Sequence, residues 1–425
     1  MFVQNQAMRF IISTGLALLA LVSLIRALHF TFLTEEGGLD FHSYWYAGLF
    51  VRQHQDPYTA YVTRQKPETP ITFLGGAVDE NLNRGLVTTP ANTAPIILLL
   101  TPLAWLPWTA AKTIWFIINC IFALLLPWLT IRLLPANYQP HGWSIWLLYL
   151  TFFALKGTRG TLGTGQTTLF VLVCMLACVL LWDKNWLWAG ALLGIALSKY
   201  SVALPLMLYA LYKRKFKVIL VSFVIQGLGT LIIAAISGNT PWTIVGSYIV
   251  IFQRHVNLPG LHLSNLFALG SLWRILAPTL LTLTTGGILL WKWYQNTPKP
   301  SDQTPKFLLQ DLHLLAIFCL WTLLVAYHRP YDGILILLFL VILACVIAQP
   351  MIWSLSLVQY RIVMLLGLLG TAMLIAPYEQ ISALMPVDNV ETLLNLLDKG
   401  VTVALVIMLA LLLWLWARLW PEIQT

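Results

Sequence analysis

Charge is what this 425-residue sequence has little of: Lys, Arg, Asp and Glu make up 10% of it, while 59% is hydrophobic and the mean hydropathy is +0.79. Ordinary soluble domains carry about a quarter charged residues. The shortage excludes a two-domain soluble protein and also a single membrane anchor bearing a soluble catalytic domain. Cysteine is scarce too. Cys120, Cys174, Cys178, Cys319 and Cys345 all sit in apolar runs, with no C-x-x-C pair, which argues against a disulfide framework or a metal cluster. Cys174 and Cys178 share one helix face at i,i+4 spacing, as apolar packing residues do. The formal charge of +9 is scattered among apolar segments and is no nucleic-acid footprint.

What is present is a series of long apolar segments. At about 20 residues per span, about 250 apolar residues allow at most about twelve transmembrane helices. The first runs from Phe10 to Leu33, lacks a small-residue cleavage pattern, and reads as a retained helix. Eleven more begin near Ala94, Ala110, Trp143, Thr167, Leu187, Val218, Ile275, Phe307, Gly333, Leu357 and Val401. The stretch with Pro95, Pro102 and Pro107 suits a re-entrant or buried half-helix, which protein or a water-filled cavity must satisfy. The expectation is an all-α polytopic membrane protein of about 10–12 spans, residues 1–425 forming a single integral membrane domain.

Cationic loops set the orientation. Lys213, Arg214, Lys215 and Lys217 form a compact turn expected in the cytoplasm, as is the linker 292–307 with Lys292, Lys299 and Lys306. Counting helices from these places 34–91, 239–274 and the loop of Glu379 to Asp398 outside and both termini inside. Three crossings with two re-entrant segments give the same parity, so the side of Gly157 to Gln166 stays open.

Polar chemistry concentrates in the first external loop, 34–91, which holds eleven of the 41 charged residues. Asp40 follows the first helix and leads into Phe41, His42, Ser43, Tyr44, Trp45 and Tyr46, an aromatic run suited to the bilayer interface. Residues 43–54 alternate at helical spacing, as in a helix lying flat on the membrane. An acid so placed can meet an amphiphilic substrate; it can equally be a loop acid or a helix cap.

These residues resemble those of glycosyltransferase family 87, polytopic enzymes of the GT-C class. Asp40, the aromatic run and Asp56-Pro57-Tyr58 look like that family's first loop. Pro102, Leu103, Ala104, Leu106 and Pro107 resemble its P-L-A-x-L-P segment, and Gly165-Gln166 its G-Q motif. Ala189-Gly190, Lys199, Pro205 and the basic turn follow in the family's order, and Tyr327, His328, Tyr331 and Asp332 resemble its late His-containing motif. His262, Leu263, Ser264 and Asn265 correspond loosely to an Asn-rich motif, and Thr167 follows Gln166 where relatives often carry an Asn two places on.

The resemblance implies a GT-C-like bundle and an inverting transfer of a hexose, mannose foremost, from a polyprenyl-phosphate sugar to an acceptor hydroxyl. The reaction would run at the outer face of a bacterial inner membrane, on a glycolipid or glycan acceptor. Attack on an anomeric carbon needs a base for the hydroxyl proton, a role Asp40 can fill. The departing phosphate wants fixed cations or donors, and His328, Arg329, Arg254, His255 and His262 fall on the external side. His328 is the second catalytic candidate. Lys199, costly in lipid, either binds phosphate or snorkels. Gln166 with Gly160, Gly163 and Gly165 is either a phosphate nest or a plain turn. Asp332 either orients His328 or caps the next helix, Tyr331 flanks it, and His42, Tyr44, Asp56 and Tyr58 complete the substrate-binding set that the resemblance implies.

No Asp-x-Asp pair occurs, so a metal-bridged nucleotide-sugar donor has no obvious ligands; no metal or cofactor is expected. The partners are the lipid-linked donor, the acceptor and membrane lipids, with no nucleic acid. Two other classes remain at this level: a transporter or lipid flippase, which would carry inverted repeats and paired midplane charges, and a noncatalytic subunit on the same scaffold.

Overall fold

Backbone N–H and C=O groups in lipid are satisfied within helices or closed barrels, and every regular element among the described residues of the computed structural model is helical. The structure describes residues 6–34, 37–63, 92–256, 263–267, 271–295, 305–326, 328–349, 353–375 and 387–419. In chain order come α1 (Gln6–Leu33), α2 (Leu39–Arg52), α3 (Pro57–Thr63), α4 (Ala94–Leu100), α5 (Trp108–Arg132), α6 (Trp143–Ala154), α7 (Lys156–Thr164), α8 (Thr168–Leu181) and α9 (Trp186–Ala196). They continue with α10 (Tyr200–Tyr212), α11 (Phe216–Ser237), α12 (Pro241–Val256), α13 (Trp273–Gln295), α14 (Pro305–Val325), α15 (Leu337–Ala348), α16 (Leu357–Ile375) and α17 (Val387–Leu419).

Eight segments among the described residues are long and apolar enough to cross a membrane: Gln6–Leu33, Trp108–Arg132, Trp186–Tyr212, Phe216–Ser237, Trp273–Trp291, Pro330–Ala348, Leu357–Ile375 and Lys399–Arg418. α7 and α8 pass the same test together but are bent by 113° at their break, and Ala94–Trp105, Trp143–Ala154 and Leu309–Val325 are shorter apolar helices. The twelve apolar segments read from the sequence coincide with these. The protein is an all-α, polytopic integral membrane protein.

The chain falls into two compact units. One comprises Met1–Ile25, Leu125–Gly160 and Pro259–Thr425; the other, Arg26–Leu124 and Thr161–Leu258. In the second unit, the Pro-interrupted stretch is a short helix followed by a 3-10 turn, Thr101–Trp105. Its freed carbonyls find donors on α2: Trp45 Nε1 donates to Leu106 O at 3.2 Å and Arg52 to Ala104 O at 3.2 Å. Gly48 of α2 lies so close that a Cβ there would meet the Ala104 Cβ at 2.9 Å. The resembling proline segment therefore has a packing reason. In the first unit, α6 packs on α15 and α14 on α17, and Trp143 donates to Ser13 Oγ of α1 at 2.6 Å.

Two readings of the loops change. α2 is not a helix lying flat with one wet face: Phe41 to Val51 are all buried. Aromatic residues favour an interface and a protein core alike, so the run did not distinguish the two. The segment 239–274 also contains more than loop, since the 16-residue α12 lies within it.

α9 and α11 approach closely because glycines face the crossing. A Cβ on Gly194 would lie 2.6 Å from the Ile225 Cβ, whereas Gly227 has nothing within 4 Å. Gly194→Ala should lower stability by about 1–3 kcal/mol through overpacking, read as a fall in the thermal midpoint in detergent. Gly227→Ala should leave that midpoint unchanged or slightly raised.

Candidate active site

Asp40 stands in the first turn of α2, where a carboxylate meets the positive end of the helix dipole, and it is half-buried. The turn into this helix depends on Gly38, at φ +76°, a conformation that disfavours L side chains. The Gly38 N–H donates to Gly163 O at 3.0 Å. Lys112 packs on the same glycine and donates from Nζ to Thr31 O at 2.8 Å, holding the end of α1. Thr31 Oγ1 in turn donates to Ala27 O at 2.7 Å and lies 3.3 Å from Gly163 O.

Phe41, the next residue, stacks between Trp108 and Trp115, with ring centroids 5.7 and 5.4 Å away. Trp115 Nε1 donates to Gly165 O at 2.7 Å. Gly165 has φ +70°, and a Cβ there would meet the Phe41 Cβ at 2.6 Å. The G-Q motif is thus a left-handed turn pressed against the start of α2.

Tyr44, one helical turn after Asp40, completes the junction. Its hydroxyl donates to Gln166 Oε1 at 3.1 Å and lies 3.0 Å from Thr167 Oγ1. The Gln166 Oε1 also accepts the Thr167 N–H at 2.9 Å. Next along the chain, Thr168 opens α8, and Lys199 Nζ donates to its hydroxyl at 2.5 Å. Lys199 lies in the 3-10 turn Leu197–Lys199 and is buried. Its ammonium meets a hydroxyl inside the protein, so snorkelling to the interface is not how this charge is satisfied. The second unit therefore brings together Tyr44, Gln166 and Lys199, with Asp40 on the Tyr44 face of α2. His42 belongs to the same helix, its ring 4.9 Å from Trp108 and edge-on to it.

Asp56 and Tyr58, expected to bind substrate, make contacts within the protein. Asp56 is buried and caps α3: Oδ1 accepts from the Tyr58 N–H at 2.9 Å, and Oδ2 accepts from Thr59 Oγ1 at 2.6 Å and Asn239 Nδ2 at 3.4 Å. Tyr58 donates from its hydroxyl to Asn92 O at 2.8 Å. Burial first, then Tyr248, Asp56 and Tyr44, push that hydroxyl well above its usual pKa, so it stays a donor.

The first unit holds the late motif. His328 is fully buried, with Nδ1 3.4 Å from Asp332 Oδ2. The same oxygen accepts the Arg329 N–H at 3.2 Å, while the Asp332 N–H donates to Arg329 O at 2.9 Å. Asp332 therefore both orients the imidazole and closes the turn before Pro330–Ile336. His328 Nε2 has no hydrogen-bond partner among the described residues. Tyr331 packs on α7, where a Cβ on Gly160 would meet the Tyr331 Cβ at 3.3 Å and one on Gly157 the Ile334 N at 2.9 Å. Gly157 and Gly160, three positions apart and so on one face of α7, are the residues that allow this approach. Asp40 and His328, expected in one site, belong to different units.

Arg254 and His255 lie near the end of α12, and their side chains are outside the described part. His262 and Tyr327 lie outside the described residues. Sequence reasoning missed Thr168 as the partner of Lys199; only the fold brings 168 and 199 together. Among the described residues no group of three or more His, Cys, Asp or Glu could hold a metal ion.

A carboxylate at a helix start, a glycine turn and a buried ammonium, set among apolar spans, define a polytopic membrane protein with an internal polar site. A family model described as Glycosyltransferase family 87 matches residues 92–304, half of the chain. The protein belongs to that family and is a glycosyltransferase. Gln166 and Lys199 fall inside the matched range; Asp40 and His328 fall outside it. No curated protein and no solved structure matches the chain.

Tyr44→Phe should remove the hydrogen bond that ties α2 to Gln166 and Thr167, which stay bonded to each other, and lower stability by about 0.5–1.5 kcal/mol. Thermal unfolding in detergent measures this; an unchanged midpoint would show that the Tyr44 hydroxyl does not hold the junction.

Proposed function

We propose that this glycosyltransferase moves a hexose, mannose foremost, from a polyprenyl-phosphate sugar to the hydroxyl of a glycolipid or glycan acceptor, with inversion at the anomeric carbon. The observation that carries this reading is the arrangement in the second unit. An acid at the start of α2 is joined through Tyr44 to the Gly165–Thr168 turn, where Lys199 is buried against Thr168.

In this reading Asp40 accepts the acceptor hydroxyl's proton as the oxygen bonds to C1. The bond from C1 to the phosphate oxygen breaks on the opposite face, and polyprenyl phosphate leaves. Removing such a base costs a factor of about 10² to 10⁴ in rate. The departing oxygen gains charge, which a fixed ammonium in a water-poor setting offsets better than a solvated one. Lys199 supplies that charge, with the Gln166 turn beside it. In the first unit His328, its imidazole held by Asp332, is the second catalytic candidate, with Arg329 and Tyr331 beside it in the chain. A lipid-phosphate leaving group stabilised by protein cations needs no metal in this scheme.

The setting that fits is a bacterial inner membrane with both termini cytoplasmic and the site outside, the orientation that the Lys213 to Lys217 turn supports.

Asp40→Asn should reduce transfer from a polyprenyl-phosphate hexose by about 10²-fold or more with the fold intact. The check is a radiolabelled-sugar transfer assay on purified protein, with thermal unfolding alongside. Transfer at the wild-type rate would remove Asp40 from the role of base. Asp56→Asn, by contrast, should cost stability first, since its carboxylate caps α3.

A further inference from the structure

Two turns of the second unit are joined into one cationic surface. Trp182 to Asn185 links α8 to α9, and Lys213 to Lys215 links α10 to α11. Lys215 Nζ is paired with Asp183 and lies 5.4 Å from the centre of the Trp182 ring, and Lys217 Nζ lies 5.8 Å from that of Trp186. The two turns bring Lys184, Lys213, Arg214, Lys215 and Lys217 together against one carboxylate, Asp183. Lys184, Arg214 and Lys217 are exposed.

Around the cations the exposed side chains are amphipathic or apolar. Trp186 is 47% exposed and Trp188 65%, and below them on α11 Phe216, Leu220 and Phe223 are each more than half exposed. Indole rings favour the headgroup depth of a bilayer, and apolar side chains favour its interior. A soluble acidic partner would meet the cations but leave that apolar flank in water. A phospholipid leaflet satisfies both parts at once.

We infer that this surface binds anionic phospholipid headgroups, as a site separate from the one that handles substrate. The phosphodiester of an anionic lipid approaches Lys184, Arg214 and Lys217, while its acyl chains run along the exposed apolar face of α11. Each cation near a charged leaflet strengthens the attraction by a factor of about five, and the attraction weakens as salt shortens the Debye length.

The test uses the full-length protein in nanodiscs of phosphatidylcholine alone or of phosphatidylcholine with phosphatidylglycerol, with retained lipids quantified by native mass spectrometry. Wild-type protein should retain phosphatidylglycerol in preference to phosphatidylcholine, and 0.5 M salt should weaken the preference. The triple variant Lys184→Gln, Arg214→Asn, Lys217→Gln should lose about tenfold or more of it; Asn suits the positive φ of 55° at position 214. Equal retention of the two lipids by wild-type protein would overturn the inference, as would a triple variant with the wild-type preference. Competition by 10 mM inorganic phosphate as effective as that by the lipid would also overturn it, because the site would then read a free anion. The salt titration on wild-type protein decides the matter if the variant fails to fold.

Discussion

The Tyr44 hydroxyl is shared by the Gln166 side chain and the Thr167 hydroxyl, and the second unit's polar site is organised around that point. A helix buried along its whole length, as α2 is from Phe41 to Val51, has nowhere to place a polar group except against another polar group. Leaving one unpaired there costs about 1–3 kcal/mol. The less buried positions of α2 are at its ends, and Asp40 is at one of them. The aromatic stack of Phe41 with Trp108 and Trp115, and the two left-handed glycines, fix where that end sits.

The same constraint accounts for the break between α7 and α8. A continuous helix would bury no polar turn. Bending by 113° at the break leaves residues 165–167 out of the helix, with Gly165 left-handed; in an apolar setting such irregular backbone survives only where protein or water satisfies it. That turn receives Tyr44 from one side and Lys199 from another. A buried ammonium beside a polar turn is expensive to maintain in an apolar setting, which sets Lys199 apart from the exposed cations of the chain.

Much of the architecture was legible in the sequence, because apolar run length reports spans directly: each of the twelve segments has a helical counterpart. The candidate site was legible in parts. Asp40, Tyr44, Gln166 and Lys199 stood out by residue type and setting, but their grouping did not, since it depends on contacts between positions 31 to 123 apart in the chain. Asp56-Pro57-Tyr58-Thr59 also reads as a helix start, an acid followed by Pro at the first position and a hydroxyl at the third, and the Asp56 carboxylate does cap α3. Helix parity put Asp40 and His328 on one side of the membrane. Parity speaks of sides and not of distances, and the two residues fall in different compact units.

The central claim is that Asp40 and Lys199 flank the bond that is broken. The most direct measurement is an electron cryo-microscopy structure of the protein with a polyprenyl-phosphate hexose bound. The account predicts the phosphate within hydrogen-bond distance of Lys199 Nζ and the anomeric carbon turned toward Asp40. A phosphate bound away from Lys199, with the sugar out of reach of the α2 N-terminus, would contradict it.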